Sequence, residues 1–507
     1  MVSWVAIKMS WLLITFVVSI TLYTFTTWRK NAQKAPLPPG PSLLESFKII
    51  WGMIKKNDIH IVGEKLAIRF GEIVIIRFWG LNIVFVNSAR LLRKLLTNTK
   101  YRDITNDRPP SFLREHALYG GKDIAFSDYN EYQTNLRKLL HGVVQLYGEG
   151  VQEFEDMVNT ELGNLQNKLM KVKPGQSIDM DGALKISITR ILHLFLTNER
   201  LNEEIQDEFC SIVENYDKHF NNILRFDTNL ALTLLPWLRH LPGSYRELVR
   251  ELKKHQNKLT DFFLNPSKTQ KWRQNGKSLL GTLLAEQVKN DQFTDESIKG
   301  VIVDTIVAGF LTTSGFLGGF LLLMLHHPDI QRRIQEELDE VLAGRQPSLA
   351  DRTSLHYTNA TILECLRYIR HVPVSLPHLI KDEIEIEGYR IPAKSTMLPN
   401  QWYMAKDENQ WDYPDVFNPD RFLDEDRKFV PVTHQLRQQL LPFGVGRRLC
   451  IGESFAKSRI FLYVTSLLQK FSFRPDDNPL APEDSKYWEL NAAMHPPFLK
   501  CFIEQRK

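Results

Sequence analysis

Cysteine is the side chain best able to ligate a soft metal, and the chain carries only four among 507 residues: Cys210, Cys365, Cys450 and Cys501. They lie far apart, with no CxxC pair and no metal-finger spacing, which argues against a disulfide framework or a structural zinc site and fits a reducing compartment. Cys450 alone has a setting that suggests chemistry. It sits in "FGVGRRLCIG", residues 443–452, among three glycines and beside two adjacent arginines. The other three read as small buried hydrophobes, the usual role of a lone cysteine. Glu364 and Arg367 in "ECLR" are three apart on one helix face, and in isolation they read as a solvated ion pair. Thr312 stands in "VDTIVAGFLTTSG", residues 303–315, an apolar stretch whose one charge is Asp304. Net charge is 64 − 59 = +5 without a long basic run, so nucleic acid is excluded as a partner.

Several elements must position these groups. Residues 9–28 carry no charge and are long enough to cross a bilayer core of about 30 Å, with tryptophans near both edges. Lys8 precedes them, and Arg29, Lys30 and Lys34 follow, which puts the rest of the chain in the cytosol. A cleaved signal peptide is the alternative, but no small-residue cleavage site follows. The expected organisation is therefore a membrane anchor over residues 1–28, a basic and proline-rich hinge over 29–42 containing "APLPPGPS", and one catalytic domain over 43–507. Length alone would allow about three average domains, but no low-complexity linker or internal repeat divides the remainder. "IVIIRFWGLNIVFV", residues 73–86, predicts a hairpin. Residues 129–344 have helical periodicity, broken at 235–244 and at Pro328, and "IEIEGYRIP", residues 384–392, is strand-like. The fold class is mainly α with a smaller β-sheet region. Residues 301–325 are apolar enough for a second membrane span, yet Asp304, Gly309, Gly315, Gly318 and Gly319 suit a helix buried against protein.

Three separated stretches resemble one family. "FGVGRRLCIG" is similar to the FxxGxRxCxG cysteine loop of the cytochrome P450 haem-thiolate enzymes at every fixed position, "ECLR" to their ExxR, and "FNPDRF", residues 417–422, to their PxRF. The resemblance covers nearly the whole chain from "PPGP" onward and is strongest to the animal steroid-hydroxylating and xenobiotic-oxidising branch, through "LPWLRHLPG", "DIAFSD" and "IPAKSTMLPNQW". It implies the cytochrome P450 fold behind one N-terminal transmembrane helix, and haem b with Cys450 as axial thiolate. In that site Phe443, Gly446 and Gly452 would shape the loop, with Gly444 and Gly446 passing backbone under the porphyrin, and Arg448 would pair with a propionate. Arg108 and His378 fall where relatives contact propionates. Glu364, Arg367 and Arg421 would form a buried network bracing the cysteine loop.

Two departures stand out. Many relatives have a tryptophan and, four residues later, an arginine reaching a propionate; here Tyr132 and Leu136 stand there, and Arg137 comes one position late. Ala308, Gly309 and Thr312 match the family's distal helix, but Leu311 replaces its acid, so the usual proton relay to Thr312 lacks its carboxyl. The expectation is a haem-thiolate monooxygenase on the cytosolic face of the endoplasmic reticulum membrane, acting on a lipophilic, steroid-like substrate. An NADPH-dependent flavoprotein reductase would supply electrons, since the chain has no flavin or nicotinamide fingerprint, and would dock on a basic face including Arg447, Lys457 and Arg459. The alternatives are a haem-thiolate isomerase or lyase acting on a peroxide, and a haem-binding protein without turnover.

Overall fold

A serine opens the first helix among the described residues: the Ser42 side chain accepts from the Glu45 amide (3.3 Å), and Asn57 closes the helix in the left-handed conformation. The computed structural model describes residues 35–78, 80–144, 149–274, 278–491 and 493–506, so the expected anchor and residues 29–34 of the hinge lie outside the described residues. The remainder of that hinge is part of the domain edge and not a free spacer. The Pro36 carbonyl accepts from the Arg390 amide (2.7 Å) and the Pro39 carbonyl from the Ile75 amide (3.0 Å), which ties the segment to sheet backbone.

Helices α1 (Leu43–Lys56) and α2 (Ile59–Phe70) lead into the expected hairpin, β1 (Ile73–Phe78) and β2 (Leu81–Val86), whose register pairs Ile73 with Val86. The helical body follows as α3 (Ala89–Thr97), α4 (Glu131–Val144), α5 (Glu149–Met170), a short strand β3 (Ile178–Asp179), α6 (Met180–Thr197), α7 (Glu203–Leu224) and α8 (Phe226–Leu234). The break at 235–244 is a single 3-10 turn, after which α9 (Ser244–Leu264), α10 (Pro266–Gln274) and α11 (Leu279–Lys289) run on. Then come α12 (Asp295–His326), α13 (Pro328–Leu342), which starts on its proline, and α14 (His356–Ile369). Strands β4 (His378–Ile380), β5 (Ile384–Ile386), β6 (Tyr389–Ile391) and β7 (Ser395–Pro399) precede the cysteine loop, α15 (Glu453–Lys470) and the closing strands β8 (Phe471–Pro475), β9 (Glu489–Leu490), β10 (Met494–His495) and β11 (Lys500–Gln505).

The sheets are small and lie beside the helices. One has the order β1-β2-β7-β4, with β7 parallel to β2; β5 and β6 form the strand-like stretch into a hairpin; β3, β11 and β8 make a third sheet, and β9 pairs with β10. The main core is helical and centres on α12. A capping box of Thr294 and Ser297 starts that helix. Its mean hydropathy reaches 1.9 over a window that is 83% buried, and α6, α14, α15, α9 and α7 all pack on it, so it is a core helix and the second-span alternative does not hold. Glycine permits this closeness: a Cβ at Gly309 would stand 2.5 Å from Leu192 of α6, and one at Gly315 would stand 2.1 Å from the His371 ring.

Candidate active site

The cysteine loop is shaped by two glycines that no other residue replaces cheaply. Gly444 and Gly446 have φ of +77° and +78°, and a Cβ on Gly446 would lie 2.6 Å from the Leu96 carbonyl oxygen at the end of α3. Gly446 thus seats the loop on α3. A 3-10 turn, Gly446–Arg448, then brings the Cys450 amide back to donate to the Phe443 carbonyl (2.9 Å), and α15 starts three residues later. Phe443 lies under the Lys457 ammonium, 5.1 Å from its ring centre. Among the four cysteines only Cys450 carries exposed surface. That surface faces an interior cleft, because the protein around the thiol desolvates it and raises its pKa, against the Gly452 amide, Arg137 and Lys457, which favour the thiolate. Coordination to a metal would reverse this balance, since a ligating thiol is deprotonated.

Opposite the loop runs α12. Ala308 is exposed and Thr312 partly exposed in the middle of an otherwise buried helix, and the Thr312 hydroxyl donates to the Ala308 carbonyl (2.5 Å). The loop and the helix are joined through one short segment. Asp304 of α12 accepts from the amides of Ile124 (2.8 Å) and Ala125 (3.1 Å), while Arg448 donates to the carbonyl of Ile124 (3.4 Å) and, more closely, to those of Ser127 (2.6 Å) and Asn106 (2.8 Å). Burial and the neighbouring Asp123 carboxyl push the Asp304 pKa well up, and burial raises that of Asp123 to about 6. Sequence reading of "DIAFSD" did not assign Asp123 a part; only the fold brings it to α12.

The same segment gathers cations. Arg108, fully enclosed, donates to the carbonyls of Ala125 (2.8 Å) and Pro377 (2.8 Å). His378 is the first residue of β4, and its Nδ1 lies 2.9 Å from the Thr105 carbonyl, which makes that nitrogen the donor. Arg137 reaches the loop despite its shifted position, donating to the Leu449 carbonyl next to Cys450. Tyr132 does not join them; its hydroxyl donates to the Lys122 carbonyl (2.6 Å). Burial pulls the Arg108 pKa down to about 9 and that of Arg448 to about 10, with the other guanidinium groups adding to the effect, and His378 falls well below its ordinary value through burial and Arg108. Carbonyl dipoles alone hold most of these charges. Such a donor set fits the two carboxylates at the edge of a haem, on the side of the cleft where Cys450 offers sulfur.

Beneath the loop lies the carboxylate network. Glu364 and Arg367 of α14 are both fully buried and meet in two hydrogen bonds, 2.7 and 2.8 Å; the Arg421 Nε donates to the same carboxylate (3.2 Å), as does the Asn418 amide (2.9 Å). Their remaining N–H groups bond the carbonyls of Ala405, Pro414, Val416 and Tyr413. Leu440, which leads into the cysteine loop, packs with Trp411 and Phe422 of this segment. The pair is therefore interior, and the solvated reading of ExxR does not apply.

One expected surface group is not at the surface. Arg459 is 1% exposed and donates to the Gly309 carbonyl (3.0 Å) and the Thr313 hydroxyl of α12, so it cannot belong to a docking face. Leu311 is buried as expected of its type. A group that the sequence reading missed lies close by: His371 fills the space left by Gly315, one turn after Leu311, and burial lowers its pKa to about 4 against the backbone of Leu311 and Met494, which favours its charged form.

Comparison with known proteins agrees with this geometry. Residues 38–500 match the family model for cytochrome P450. Golden hamster (Mesocricetus auratus) cytochrome P450 2D27 is 29% identical over 472 residues, covering 91% of this chain and 92% of its own. Steroid 17-alpha-hydroxylase/17,20 lyase of the frog Rana dybowskii is 29% identical over 477 residues, covering 91% and 90%. A zebrafish cytochrome P450 solved with progesterone superposes with a TM-score of 0.75 at 25% identity, covering 88% of this chain and 99% of its own.

Removing Glu364 should leave two buried guanidinium groups without their shared partner. Glu364→Ala is expected to cost roughly 3–5 kcal/mol and to yield insoluble or haem-poor protein, read by haem-to-protein ratio and thermal unfolding. Wild-type haem content and midpoint in this variant would contradict the assigned role.

Proposed function

Because the chain belongs to the cytochrome P450 family, an oxidoreductase family that binds haem b through a cysteine ligand, we propose that it is a membrane-anchored monooxygenase that inserts one oxygen atom from dioxygen into a lipophilic, steroid-like substrate. The observation that carries this reading is that Arg137, bonded to the Leu449 carbonyl beside Cys450, joins the cysteine loop to a cluster of three enclosed guanidinium groups. A haem held by Cys450 and these guanidinium groups would supply dioxygen activation, which electron donation from a thiolate ligand would favour.

The chain's own residues do the rest. Cys450 supplies the sulfur, and the Gly452 amide, Arg137 and Lys457 favour its thiolate against the burial that raises its pKa. Phe443, Gly446 and Gly452 set the loop's path, and Arg108, Arg448 and His378, with Arg137, bind and orient the propionate edge. Glu364, Arg367 and Arg421 fix the support beneath. Thr312 presents the one hydroxyl on the exposed middle turn of α12 and passes protons there. The steroid-like substrate rests on the similarity to the steroid 17-alpha-hydroxylase and to the zebrafish enzyme solved with progesterone.

Electrons come from a separate NADPH-dependent flavoprotein reductase, docking near Arg447 and Lys457. These are partly neutralised by Asp103 and Glu453, so the attraction is modest. Residues 1–28 anchor the chain in the endoplasmic reticulum membrane with the catalytic domain, 43–507, in the cytosol behind the basic, proline-rich segment 29–42. An exposed apolar patch supports contact with lipid: Leu43, Leu44, Phe47 and Trp51 of α1, which packs on α8, with Leu234 at the end of α8 and Leu235, Trp237 and Leu241 just beyond it. A second reading, a haem-thiolate isomerase or lyase acting on a peroxide, is favoured by Leu311, since such chemistry needs no delivered protons. A haem-binding protein without turnover is the third.

Reductase-dependent NADPH consumption with added lipids separates the three: stimulation by a steroid with matching hydroxylated product supports the monooxygenase, reductase-free peroxide turnover the isomerase, and neither the last. Cys450→Ser should abolish the red-shifted carbon-monoxide band of the reduced protein, because an alcohol is a poor donor to iron; a band that persists would refute the ligand assignment. Leu311→Asp should raise product formed per NADPH by restoring a proton-carrying carboxyl beside Thr312. A tightly coupled wild type that loses activity on this change would show that the proton supply is already complete. With residues 1–34 removed, Trp51→Glu combined with Trp237→Glu should lower co-sedimentation with phospholipid vesicles, whereas unchanged binding would place the lipid contact elsewhere.

A further inference from the structure

Helices α7 and α9 pack along one another, and both touch α12. Where they meet, His219 of α7 faces Glu251 and His255 of α9, the latter two four residues apart and so on one helix face. One ligand atom from each of the three lies within 4.8 Å of the others. The two imidazole rings stack with centroids 5.0 Å apart and 13° between their planes. Glu251 Oε2 is 3.8 Å from His255 Nε2. Each ring also keeps a buried Nδ1 without a hydrogen bond.

Packing alone does not account for that arrangement. Two ring nitrogens are withdrawn from water and paired with nothing, and a buried polar atom left unpaired calls for a partner the protein chain does not supply. Two imidazoles and a carboxylate are the donor set of zinc sites with three protein ligands and an open fourth position. Burial lowers the pKa of both rings, and Lys218, Lys254 and Lys258 lower them further while Glu251 raises them, a balance that favours the neutral imidazole ligation requires. The same lysines oppose a dication, which makes the site weaker than a structural zinc centre. Glu251 is already drawn toward Lys254 (3.0 Å) and Arg250 (3.3 Å), but both are exposed pairs that are given up at little cost. Tetrahedral bond lengths place imidazole nitrogens about 3.3 Å apart, so ligation requires the rings to turn out of their stack until both lone pairs converge on one point.

We propose that His219, Glu251 and His255 form a divalent transition-metal site of the zinc class that pins α7 to α9. The site is separate from the cysteine loop and does not depend on the monooxygenase reading. It commits the pair of helices to one relative position over α12, so its occupancy restrains that side of the helical body.

The test uses the full-length, haem-loaded chain in lipid nanodiscs, freed of adventitious metal with a chelator and titrated with zinc chloride by calorimetry. One zinc should bind per chain and raise the unfolding midpoint by roughly 2 °C or more at saturation. Amide exchange in α7 and α9 should slow. X-ray absorption at the zinc edge should show two imidazoles. His219→Ala and His255→Ala should each remove the binding, and Glu251→Gln should weaken it by at least about tenfold. Because the alanine variants could disturb packing, His219→Gln, which keeps the volume, is measured beside them and should also lose zinc while retaining the metal-free midpoint. Retained one-to-one binding in the His219→Gln, His255→Gln double variant, or zinc scattering without imidazole, would overturn the proposal, as would a wild type that binds no zinc.

Discussion

Cations enclosed without a carboxylate hydrogen-bonded to them set the terms of this interior, with Asp107 and Asp123 acting only at a distance. Arg108, Arg137 and Arg448 all have their pKa lowered by burial, and each of these guanidinium groups bears on at least one of the others. Placing like charges out of water is unfavourable unless something anionic shares the space. Backbone carbonyls of residues 105–127 and 376–377 supply dipoles but no net charge. A ligand bearing two carboxylates relieves that repulsion, so its binding stabilises the fold by mass action as well as providing chemistry. The segment 124–127 is the keystone, since Asp304 bonds its amides while Arg108 and Arg448 bond its carbonyls, and a change at any one of the three disturbs both walls of the cleft.

The Glu364 network works by the opposite rule. There one carboxylate is shared directly by two guanidinium groups, and their surplus N–H groups are taken up by carbonyls of residues 405–416. A network of this kind is worth little as stabilisation compared with apolar packing, but breaking it is expensive, and that asymmetry makes it a specifier of geometry. It holds an irregular segment that regular secondary structure cannot, and through the packing of Leu440 on Trp411 and Phe422 that segment delivers the chain to the cysteine loop. Gly446 then fixes where the loop lands on α3.

What was legible in the sequence follows from how local each constraint is. The cysteine loop compresses its turn glycines, arginine and ligand into ten contiguous positions, so it is visible in one line of text, and the hairpin at 73–86 and the break at Pro328 are equally local. The cation cradle is not, because Arg108, Arg137, His378 and Arg448 come from four distant places and only a family resemblance links them. The strand pairs β3–β11 and β9–β10 are two residues each and have no periodicity to read. Arg459 was misjudged for a definite reason. It lies two residues after Lys457 on α15, and at about 100° per residue such positions fall on nearly opposite faces, so if Lys457 is outside Arg459 must point in. The zinc-class cluster pairs an i, i+4 motif with a residue from another helix, and only the first half is readable in the sequence.

The middle turn of α12 shows how these constraints meet. A helix this apolar offers its interior few polar groups, and here most are already engaged: the Gly309 carbonyl accepts from Arg459, the Thr313 hydroxyl is taken by the same guanidinium, and Ser314 bonds back to Phe310. Asp304, the helix's acid nearest Thr312 in sequence, is committed to the amides of residues 124 and 125. With leucine at 311, that leaves the Thr312 hydroxyl, itself turned to the Ala308 carbonyl, as the proton-carrying group that α12 exposes to the cleft. Proton traffic there must therefore draw on water admitted through the accessible surface at Ala308 and Thr312, or on a side chain from outside the helix. His371, pressed into the gap left by Gly315 and next to the Leu311 backbone, is an imidazole that the fold places against that stretch. Its low pKa keeps it neutral at physiological pH, a state in which an imidazole can both accept and donate.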